Sequence, residues 1–386
     1  MNRTIAILLA FLVMGVADAM GPMSDAVQKN YEISSTTATL LSFFVFIAFA
    51  VFSIPGGVLA GRIGKKKLLL LGLGLNAAAM LVPTVIEPGF ALLLSCIFVL
   101  GIGTTFLQVA GNPIMRDVSE EGAYGRNLTL AQGLKGVGSS ASSYLAIAAG
   151  SIAALQAMGW RGAFPIFFGF MALAFVMVAM IRVDEAKPET PPSIGSSLSL
   201  LKEPVFAMAV IGIFLYVGAE ASMGRFLKPA LSELGMSDDD AAKYGPTMFF
   251  ALLTVGRLLA SAILTVISPV TCFRASALLG LVGSALFIVG GKPMALAGVI
   301  CAGLGFANIW PMLFSITVEH RPERANELSG LMCMAISGGA LVPLVMGQLV
   351  DLKWGPWAFV VPVVCFGYLL AISLRQSAPA ASATAE

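Results

Sequence analysis

The sequence predicts an all-α membrane protein in which twelve transmembrane helices form two six-helix bundles and both termini are cytoplasmic. Three observations favour this fold class. Only 11% of the 386 residues are charged and 58% are hydrophobic, whereas a soluble domain carries about 25% charged residues. The mean hydropathy is +0.91, and the apolar residues are grouped into long runs. A single polar segment near the middle divides these runs into two sets of six.

Each apolar run is long enough to cross a bilayer as a helix, because about 20 residues span the hydrocarbon core. A helix is expected in every run, since backbone groups in lipid must pair within their own segment. Several runs are longer than needed, which indicates tilted or extended helices. In chain order the runs cover about residues 4–28, 36–60, 67–86, 89–115, 126–151, 162–182, 204–230, 243–267, 270–290, 293–317, 325–350 and 355–375.

The longest connection between runs, residues 184–203, is rich in Pro, Ser and charge, which is typical of a linker. It separates a predicted N-terminal bundle over 1–183 from a C-terminal bundle over 204–375, and a disordered tail is expected over 376–386. Lys and Arg are more frequent on the side that holds both termini and this linker, as in the cluster at 62–67. Because cytoplasmic connections carry such an excess, this side is predicted to be cytoplasmic.

Two acidic residues lie deep within apolar runs and away from their ends: Asp18 in the first run and Glu220 in the seventh. An ionisable side chain inside a membrane helix costs at least ~2.5 kcal/mol, so it rarely persists without a function. A carboxyl group can take up a proton on one side and release it on the other, and protonation removes the charge that makes movement through a dry state costly. We predict that Asp18 and Glu220 couple the protein to protons. The alternative for each acid is a structural pair with a cation or a helix end.

The two halves of the sequence repeat each other in detail. GIGTTFLQVAGNP in the fourth run corresponds to GLGFANIWP in the tenth, and both place an Asn and a Pro after a Gly-x-Gly pair. Two halves of like orientation with polar residues near mid-depth are typical of secondary transporters, whose site lies between the halves. We find no phosphate-binding loop, metal-ligand spacing or basic nucleic-acid patch. The sequence therefore predicts a transporter and not an enzyme, with no cofactor, no metal and no nucleic-acid partner.

The connection between the second and third runs, GGVLAGRIGKKK, resembles the signature of the major facilitator superfamily, in which Gly-x-Leu-Ala-Asp-Arg-x-Gly-Arg-Lys joins these helices. The resemblance implies the twelve-helix fold and a gating role for Gly57, Arg62 and Gly64. Gly61 replaces the acid of the family signature. Since that acid helps to hold the cytoplasmic side closed in the family, this part of the latch is expected to differ here.

Further stretches resemble the fucose–galactose–glucose proton symporter branch of this superfamily, which implies proton-linked uptake of a monosaccharide. They are FLQVAGNPIM, RNLTLAQGLKGVGS, FLYVGAEASMG, and IWPMLFSITVE together with GGALVPLVMGQLVD. The sequence departs from L-fucose permease, which has a glutamate at the position of Gln108 and a first-helix acid near the position of Gly21 instead of Asp18. Proton coupling is therefore expected to depend on Asp18, Glu220 or both.

Lys135 lies nine positions into the fifth run, roughly 13 Å along a helix, and Gln132 lies on the same face one turn earlier. In the resembled branch these positions hold an asparagine and a glutamine that face the sugar cavity. Lys135 is expected either to pair with Asp18 or Glu220, or to meet an anionic group of the substrate. The alternative is a helix that begins late and leaves Lys135 at the cytoplasmic face.

Amide and aromatic side chains complete the predicted site, since sugars are bound through amide hydrogen bonds and aromatic faces. Trp310 is the candidate stacking ring, and a packing role is an equal alternative. Arg257 in the eighth run is interpreted as a gating or structural residue. The predicted substrate-binding residues are Gln108, Asn112, Gln132, Lys135, Asn308 and Trp310.

These features predict proton-coupled symport of a monosaccharide or related polar metabolite by alternating access. The protein is expected to act as a monomer in the lipid bilayer of a bacterial inner membrane, with protons and a small-molecule substrate as partners. Two alternatives stay open. The first is transport of another substrate class, either an organic anion or sugar acid bound through Lys135 and Arg225, or an amphiphilic compound for export. The second is a membrane sensor that keeps the fold without transport.

Overall fold

The computed structural model describes residues 3–16, 27–38, 40–149, 151–185 and 191–376, and all regular secondary structure within these ranges is helical. The long helical elements follow the predicted runs closely and are numbered here in chain order. They are α1 Arg3–Val16, α2 Leu40–Ile63, α3 Lys65–Val85, α4 Phe90–Asp117, α5 Tyr124–Ala149, α6 Gly159–Met180, α7 Pro204–Glu233, α8 Asp238–Ile263, α9 Pro269–Val289, α10 Lys292–His320, α11 Pro322–Asp351 and α12 Gly355–Arg375.

Ten of these elements, α2 to α4 and α6 to α12, are long and apolar enough to cross a membrane. Helix α1 has 14 described residues, and the continuation of the predicted first span over 17–26 lies outside the described residues. Helix α5 has 26 residues and is the most polar, but it packs between α1 and α8. The prediction of apolar spanning helices is confirmed for ten elements, while twelve spans and cytoplasmic termini stay predictions.

Two of the prolines inside the membrane helices free backbone carbonyl groups that accept hydrogen bonds from side chains on other helices. A proline has no N–H group, so the carbonyl four residues before it loses its intrahelical partner. In α4, Pro113 frees the carbonyl oxygen of Val109, which accepts a 2.8 Å hydrogen bond from Ser329 of α11. In α10, Pro311 frees the carbonyl oxygen of Ala307, where the helix is interrupted. The repeated Pro-containing segments therefore supply acceptors for side chains on neighbouring helices.

Helix α1, which precedes Asp18, and helix α7, which carries Glu220, cross their neighbours at glycines. Helix α1 meets α5 so closely that a Cβ on Gly138 would lie 1.9 Å from the carbonyl oxygen of Leu12. Helix α7 meets α11 in the same way, since a Cβ on Gly338 would lie 2.1 Å from the carbonyl oxygen of Phe214. Only small residues allow membrane helices to approach this closely, so these crossings fix α1 and α7 against one neighbour each.

The part of the chain before residue 185 packs against the part after 191 at one side of the molecule. We call this the linker side, because residues 191–203 lie there. A Cβ on Gly57 of α2 would lie 2.5 Å from the carbonyl oxygen of Asn326 in α11. Arg116 at the end of α4 forms a 2.8 Å ion pair with Glu319 at the end of α10. These contacts close the linker side.

The predicted linker over 184–203 contains regular structure. Residues Ile194–Ser199 form a short helix, and the side chain of Ser193 caps its first turn. A 3-10 turn at Leu200–Lys202 then leads directly into α7. Of the predicted tail, 377–386 lies outside the described residues.

We expect Gly338→Ala to lower the free energy of unfolding by about 1–3 kcal/mol, because the added methyl group overlaps the Phe214 carbonyl and forces α7 and α11 apart. Thermal unfolding of the purified protein in detergent, followed by Trp fluorescence, measures this. Gly367→Ala in α12 is the matched control, since nothing lies within 4 Å of a Cβ there, and it should be neutral or slightly stabilising. Equal melting temperatures for the two variants would contradict the close crossing.

Candidate functional site

A cavity of about 540 Å³ lies between the two parts of the chain, with walls from α2, α4, α5, α7, α8 and α11. Aromatic rings form part of its apolar wall, including Phe46, Phe49 and Phe250. The charged and polar lining residues are Thr104, Gln108, Lys135, Ser139, Ser140, Glu220, Thr254 and Arg257. A mostly apolar wall with a few convergent polar groups is typical of a small-molecule site.

Glu220 and Arg257 form an ion pair on the wall of this cavity, with 3.8 Å between Oε2 and Nη2. The Glu220 side chain is 25% exposed and the Arg257 side chain only 9%, so the carboxylate is the member that the cavity reaches. The sequence suggested Lys135 as a partner for Glu220 and gave Arg257 a gating or structural role. The structure adds Arg257 as a direct partner of the acid.

Arg257 also reaches acceptors on three helices. Its Nε donates to the carbonyl oxygen of Ala307 at 2.9 Å, which is the group freed by the proline of α10. Its Nη2 donates to the hydroxyl of Tyr216 at 3.1 Å, and Nη1 lies 3.5 Å from the carbonyl oxygen of Gln132. The planar guanidinium with its five donors suits such a multiple contact. Arg257 in α8 thereby joins α5, α7 and α10 beside the cavity.

Three amide side chains form a buried chain next to the cavity. Gln132 donates to Oδ1 of Asn112 at 3.1 Å and lies 3.4 Å from Oε1 of Gln108. The amide nitrogen of Asn112 in turn contacts Sγ of Cys333 in α11 at 3.8 Å. Of the three amides, Gln108 lines the cavity, and the other two lie further towards the linker side. The structure therefore brings the three predicted amides of α4 and α5 together, and places one of these amides on the cavity wall.

Lys135 lies on the cavity wall as well. Helix α5 begins at Tyr124, which places Lys135 roughly 16 Å along the helix. The alternative that this helix begins late and leaves the lysine at the surface is therefore wrong. A place on the cavity wall is compatible with both predicted roles of Lys135, which are pairing with an acid and contact with an anionic substrate.

Asn308 and Trp310 are buried at the interruption of α10 and are not among the described residues that line the cavity. The Trp310 ring packs on Phe314, with 5.8 Å between the ring centroids. Trp310 Nε1 and Asn308 Oδ1 have no hydrogen-bond partner among the described residues. A buried polar atom costs about 1–3 kcal/mol unless water or a ligand satisfies it. The substrate-binding role of these two residues stays a prediction.

Asp18 lies outside the described residues, so its role in proton coupling stays a prediction. The end of α1 that precedes it is held against α5, because a Cβ on Gly15 would lie 2.0 Å from the carbonyl oxygen of Lys135. The described end of α1 therefore contacts the turn of α5 that carries the cavity lysine.

The predicted gating residues Gly57, Arg62 and Gly64 all lie on the linker side. Gly57 is the contact point of α2 with α11, and Nη2 of Arg62 donates to the carbonyl oxygen of Pro192 at 3.4 Å. Gly64 has a φ of 98°, a left-handed conformation that glycine adopts without steric cost. It allows the sharp turn between α2 and α3.

Two acids at this turn were missed by the sequence reasoning. Asp117 at the end of α4 forms a 2.5 Å ion pair with Nζ of Lys65, and both side chains are only 4% exposed. The carboxylate of Glu185 accepts hydrogen bonds from the backbone N–H groups of Lys65 and Lys66 at 2.5 and 2.9 Å, where the helix dipole of α3 favours an anion. An acid at the end of an apolar run was the available signal for Asp117, whereas no local pattern connects Glu185 to a helix start 120 residues earlier.

The family model described as Major Facilitator Superfamily matches residues 5–343. The chain belongs to this superfamily. A glucose/galactose transporter of Brucella abortus is 30% identical over 94% of this chain and 90% of its own length. An L-fucose-proton symporter of Escherichia coli is 22% identical over 91% of this chain and 87% of its own.

A crystal structure of FucP, a transporter of the major facilitator superfamily in the outward conformation, superposes with a TM-score of 0.85. The alignment covers 97% of this chain and 99% of FucP at 20% identity. The chain therefore has the major facilitator fold, which confirms the resemblance inferred from its sequence motifs. Membership also confirms the prediction of a multi-pass membrane transporter rather than an enzyme.

Arg257→Gln is expected to lower the free energy of unfolding by about 2–4 kcal/mol, because Glu220 loses its cation and the carbonyl of Ala307 loses its donor. In a Glu220→Gln background the same change should cost less, since no carboxylate is then left beside it. Thermal unfolding of the four proteins measures this difference. Arg225→Gln, at an exposed arginine on α7, is the control and should change stability by less than about 0.5 kcal/mol. Additive losses in the cycle would show that Glu220 and Arg257 do not interact.

Proposed function

We propose that this protein is a proton-coupled symporter of a monosaccharide or a related polar metabolite and works by alternating access. The observation that carries the proposal is Glu220, an acid that faces a cavity between the two parts of the chain while its neighbour Arg257 holds several helices together. The names of the related proteins support the substrate class, since they are a glucose/galactose transporter and an L-fucose-proton symporter.

The lining of the cavity suits a polar substrate of sugar size. Gln108 offers both a donor and an acceptor, and Thr104 and Thr254 add hydroxyl groups, so the hydroxyls of a pyranose have several partners. The rings of Phe46, Phe49 and Phe250 supply apolar surface for the C–H faces of such a ring. The unsatisfied polar atoms of Asn308 and Trp310 provide further partners if the cavity extends towards α10 during transport.

Proton uptake at Glu220 is the proposed coupling step. A proton that enters the cavity reaches the carboxylate, which is the more exposed member of its ion pair. Protonation removes the charge that attracts Arg257 and makes the cavity wall neutral at this point, so the loaded site can pass through a dry, occluded state at lower cost. Arg257 keeps its bonds to Ala307 and Tyr216, because the carbonyl and hydroxyl oxygens accept hydrogen bonds whatever the charge of Glu220.

The contact of Arg257 with Gln132 connects this step to the conformational change. Gln132 lies on α5, before the linker, and Arg257 lies on α8, after it. Separation of these two helices must break that contact. We propose that protonation of Glu220 together with substrate binding weakens the contact of Arg257 with Gln132 while its bonds to Ala307 and Tyr216 persist, so that α5 separates from α8 and the linker side opens.

Asp18 is the second proposed proton carrier. Asp18 lies three residues after Gly15, and Glu220 lies two residues after Gly218. Both glycines lie at close helix crossings. Lys135 is proposed to act beside these acids, either as the partner of one of them or as a contact for the substrate. We further propose that 1–183 and 204–375 form two six-helix bundles that rock against each other in a bacterial inner membrane, as a monomer with cytoplasmic termini.

A second candidate function is transport of an organic anion or a sugar acid. Two cations, Lys135 and Arg257, and one acid, Glu220, lie on the cavity wall among the described residues. A carboxylate on the substrate is well recognised by such cations. Counterflow assays with hexuronates beside neutral hexoses separate the two candidates, because a neutral-sugar symporter should exchange only the latter.

Glu220→Gln is expected to abolish uphill accumulation driven by a pH gradient in proteoliposomes, because the site can no longer release a proton. Exchange of radiolabelled sugar across the membrane should persist, since a permanently neutral site can still move when loaded. Glu233→Gln at the exposed end of the same helix is the matched control and should accumulate sugar normally. Unchanged accumulation in Glu220→Gln would remove Glu220 from the mechanism.

Lys135→Ala is expected to weaken substrate binding by about tenfold, which corresponds to the loss of one hydrogen bond from a charged group. Isothermal titration of the purified protein measures the dissociation constant, with Lys228→Ala, an exposed lysine outside the cavity, as the control. A loss confined to sugar acids would favour the second candidate function. Wild-type binding of every ligand by Lys135→Ala would reject a role of Lys135 in the cavity.

A further inference from the structure

The described part of the central linker lies across the closed linker side, between α2 and α11. Its helix Ile194–Ser199 is too short to be stable by itself, and an N-terminal cap from Ser193 is its main local support. The segment must therefore be held by tertiary contacts. These contacts reach both helices that meet at the closed linker side. Pro192 contacts α2, and Ser196 contacts α11.

Pro192 contacts α2 at the position where the family signature has its acid. A Cβ on Gly61 would lie 2.4 Å from Cγ and 3.0 Å from Cδ of Pro192, so any side chain at position 61 competes with this ring for space. Pro192 is buried, and its carbonyl oxygen accepts a 3.4 Å hydrogen bond from Arg62. The missing acid thus leaves a site that the linker proline fills.

Ser196 contacts α11 four residues later. Its hydroxyl donates to Oε1 of Glu327 at 2.6 Å, and its carbonyl oxygen accepts a 2.8 Å bond from Nη2 of Arg324. Arg324 also forms an ion pair with Glu327, whose side chain is only 7% exposed. The serine therefore completes a nearly buried charged pair at the start of α11, where hydrogen bonds to charged groups are strong.

We propose that residues 192–196 form a strap that holds the linker side closed and replaces the acid missing at position 61. The strap joins α2 to α11 at the point where Gly57 and Gly330 bring these helices together. Opening of the linker side separates α2 from α11, so the strap must then release Gly61 or Glu327. In this chain a side chain at position 61 weakens closure, even if it restores the acid of the family signature.

Cys333 provides a readout of closure that does not depend on transport. This cysteine is fully buried on α11, between Asn112 of α4 and Ser329. A thiol reagent reaches it only when α11 moves away from α4. In a background in which Cys96, Cys272, Cys301 and Cys365 are replaced by Ala, the rate of alkylation by N-ethylmaleimide in lipid nanodiscs therefore measures opening of the linker side.

Ser196→Ala, Gly61→Ala and Gly61→Asp are each expected to raise the rate of Cys333 alkylation by about tenfold. Ser196→Ala removes one hydrogen bond to the charged Glu327. The two Gly61 variants instead push the Pro192 ring away from α2. Pro192→Ala removes the two atoms that collide with a new Cβ. Gly61→Ala should therefore have no further effect in the Pro192→Ala background. Gly169→Ala is the control, since nothing lies within 4 Å of an added Cβ there, and it should react at the parental rate.

A parental rate in Ser196→Ala would overturn the strap. This substitution lies in the short linker helix and not in a membrane helix, so it tests the proposal even if the Gly61 variants fail to fold. The proposal is also overturned if Gly61→Ala accelerates alkylation equally with and without Pro192→Ala, because the effect would then not pass through the linker. Slower alkylation in Gly61→Asp would show that the acid of the family signature closes this chain as well.

Discussion

Backbone hydrogen bonding without water is the constraint on which the arrangement of the site depends. Pro113 and Pro311 each remove one intrahelical bond from a membrane helix, and a bare carbonyl in this environment is costly. The carbonyl of Val109 is satisfied by Ser329, and that of Ala307 by Arg257. The carbonyl freed by each proline thereby joins two helices through a hydrogen bond, α4 to α11 and α10 to α8. The bond between α10 and α8 holds the guanidinium of Arg257 beside the cavity.

The charged groups at the site are arranged around the hydrogen bond from Arg257 to the carbonyl oxygen of Ala307. A guanidinium inside a membrane protein needs acceptors on most of its donors, and Arg257 finds them on Ala307, Tyr216 and Glu220. Glu220 is the most exposed of these partners, so it is the one that water in the cavity reaches. The arginine can therefore stay in place by its neutral partners while its ionic partner is protonated, which is the property that a coupling site needs.

The linker side is closed by a different kind of contact. Glycines let α2 and α11 touch backbone to backbone at Gly57 and Gly330, and ion pairs such as Arg116 with Glu319 lie around them. The strap adds side-chain contacts from a segment that belongs to neither helix. Small differences at this side, such as Gly61 in place of an acid, thus change which groups hold the gate, although the fold is that of the whole superfamily.

The sequence by itself determined the helical membrane fold, the approximate bounds of the spans, the superfamily, and a set of polar residues, among them Gln108, Lys135 and Glu220, that the structure brings to one cavity. Hydropathy and proline act locally along the chain, so these features can be predicted without a structure. Only the tertiary structure decided that Glu220 pairs with Arg257, that Asn308 and Trp310 are buried and are not among the described residues that line the cavity, and that Glu185 and Pro192 support the turn after α2. These contacts join residues far apart in the chain, and their geometry depends on how helices cross and rotate, which the packing of many side chains sets together.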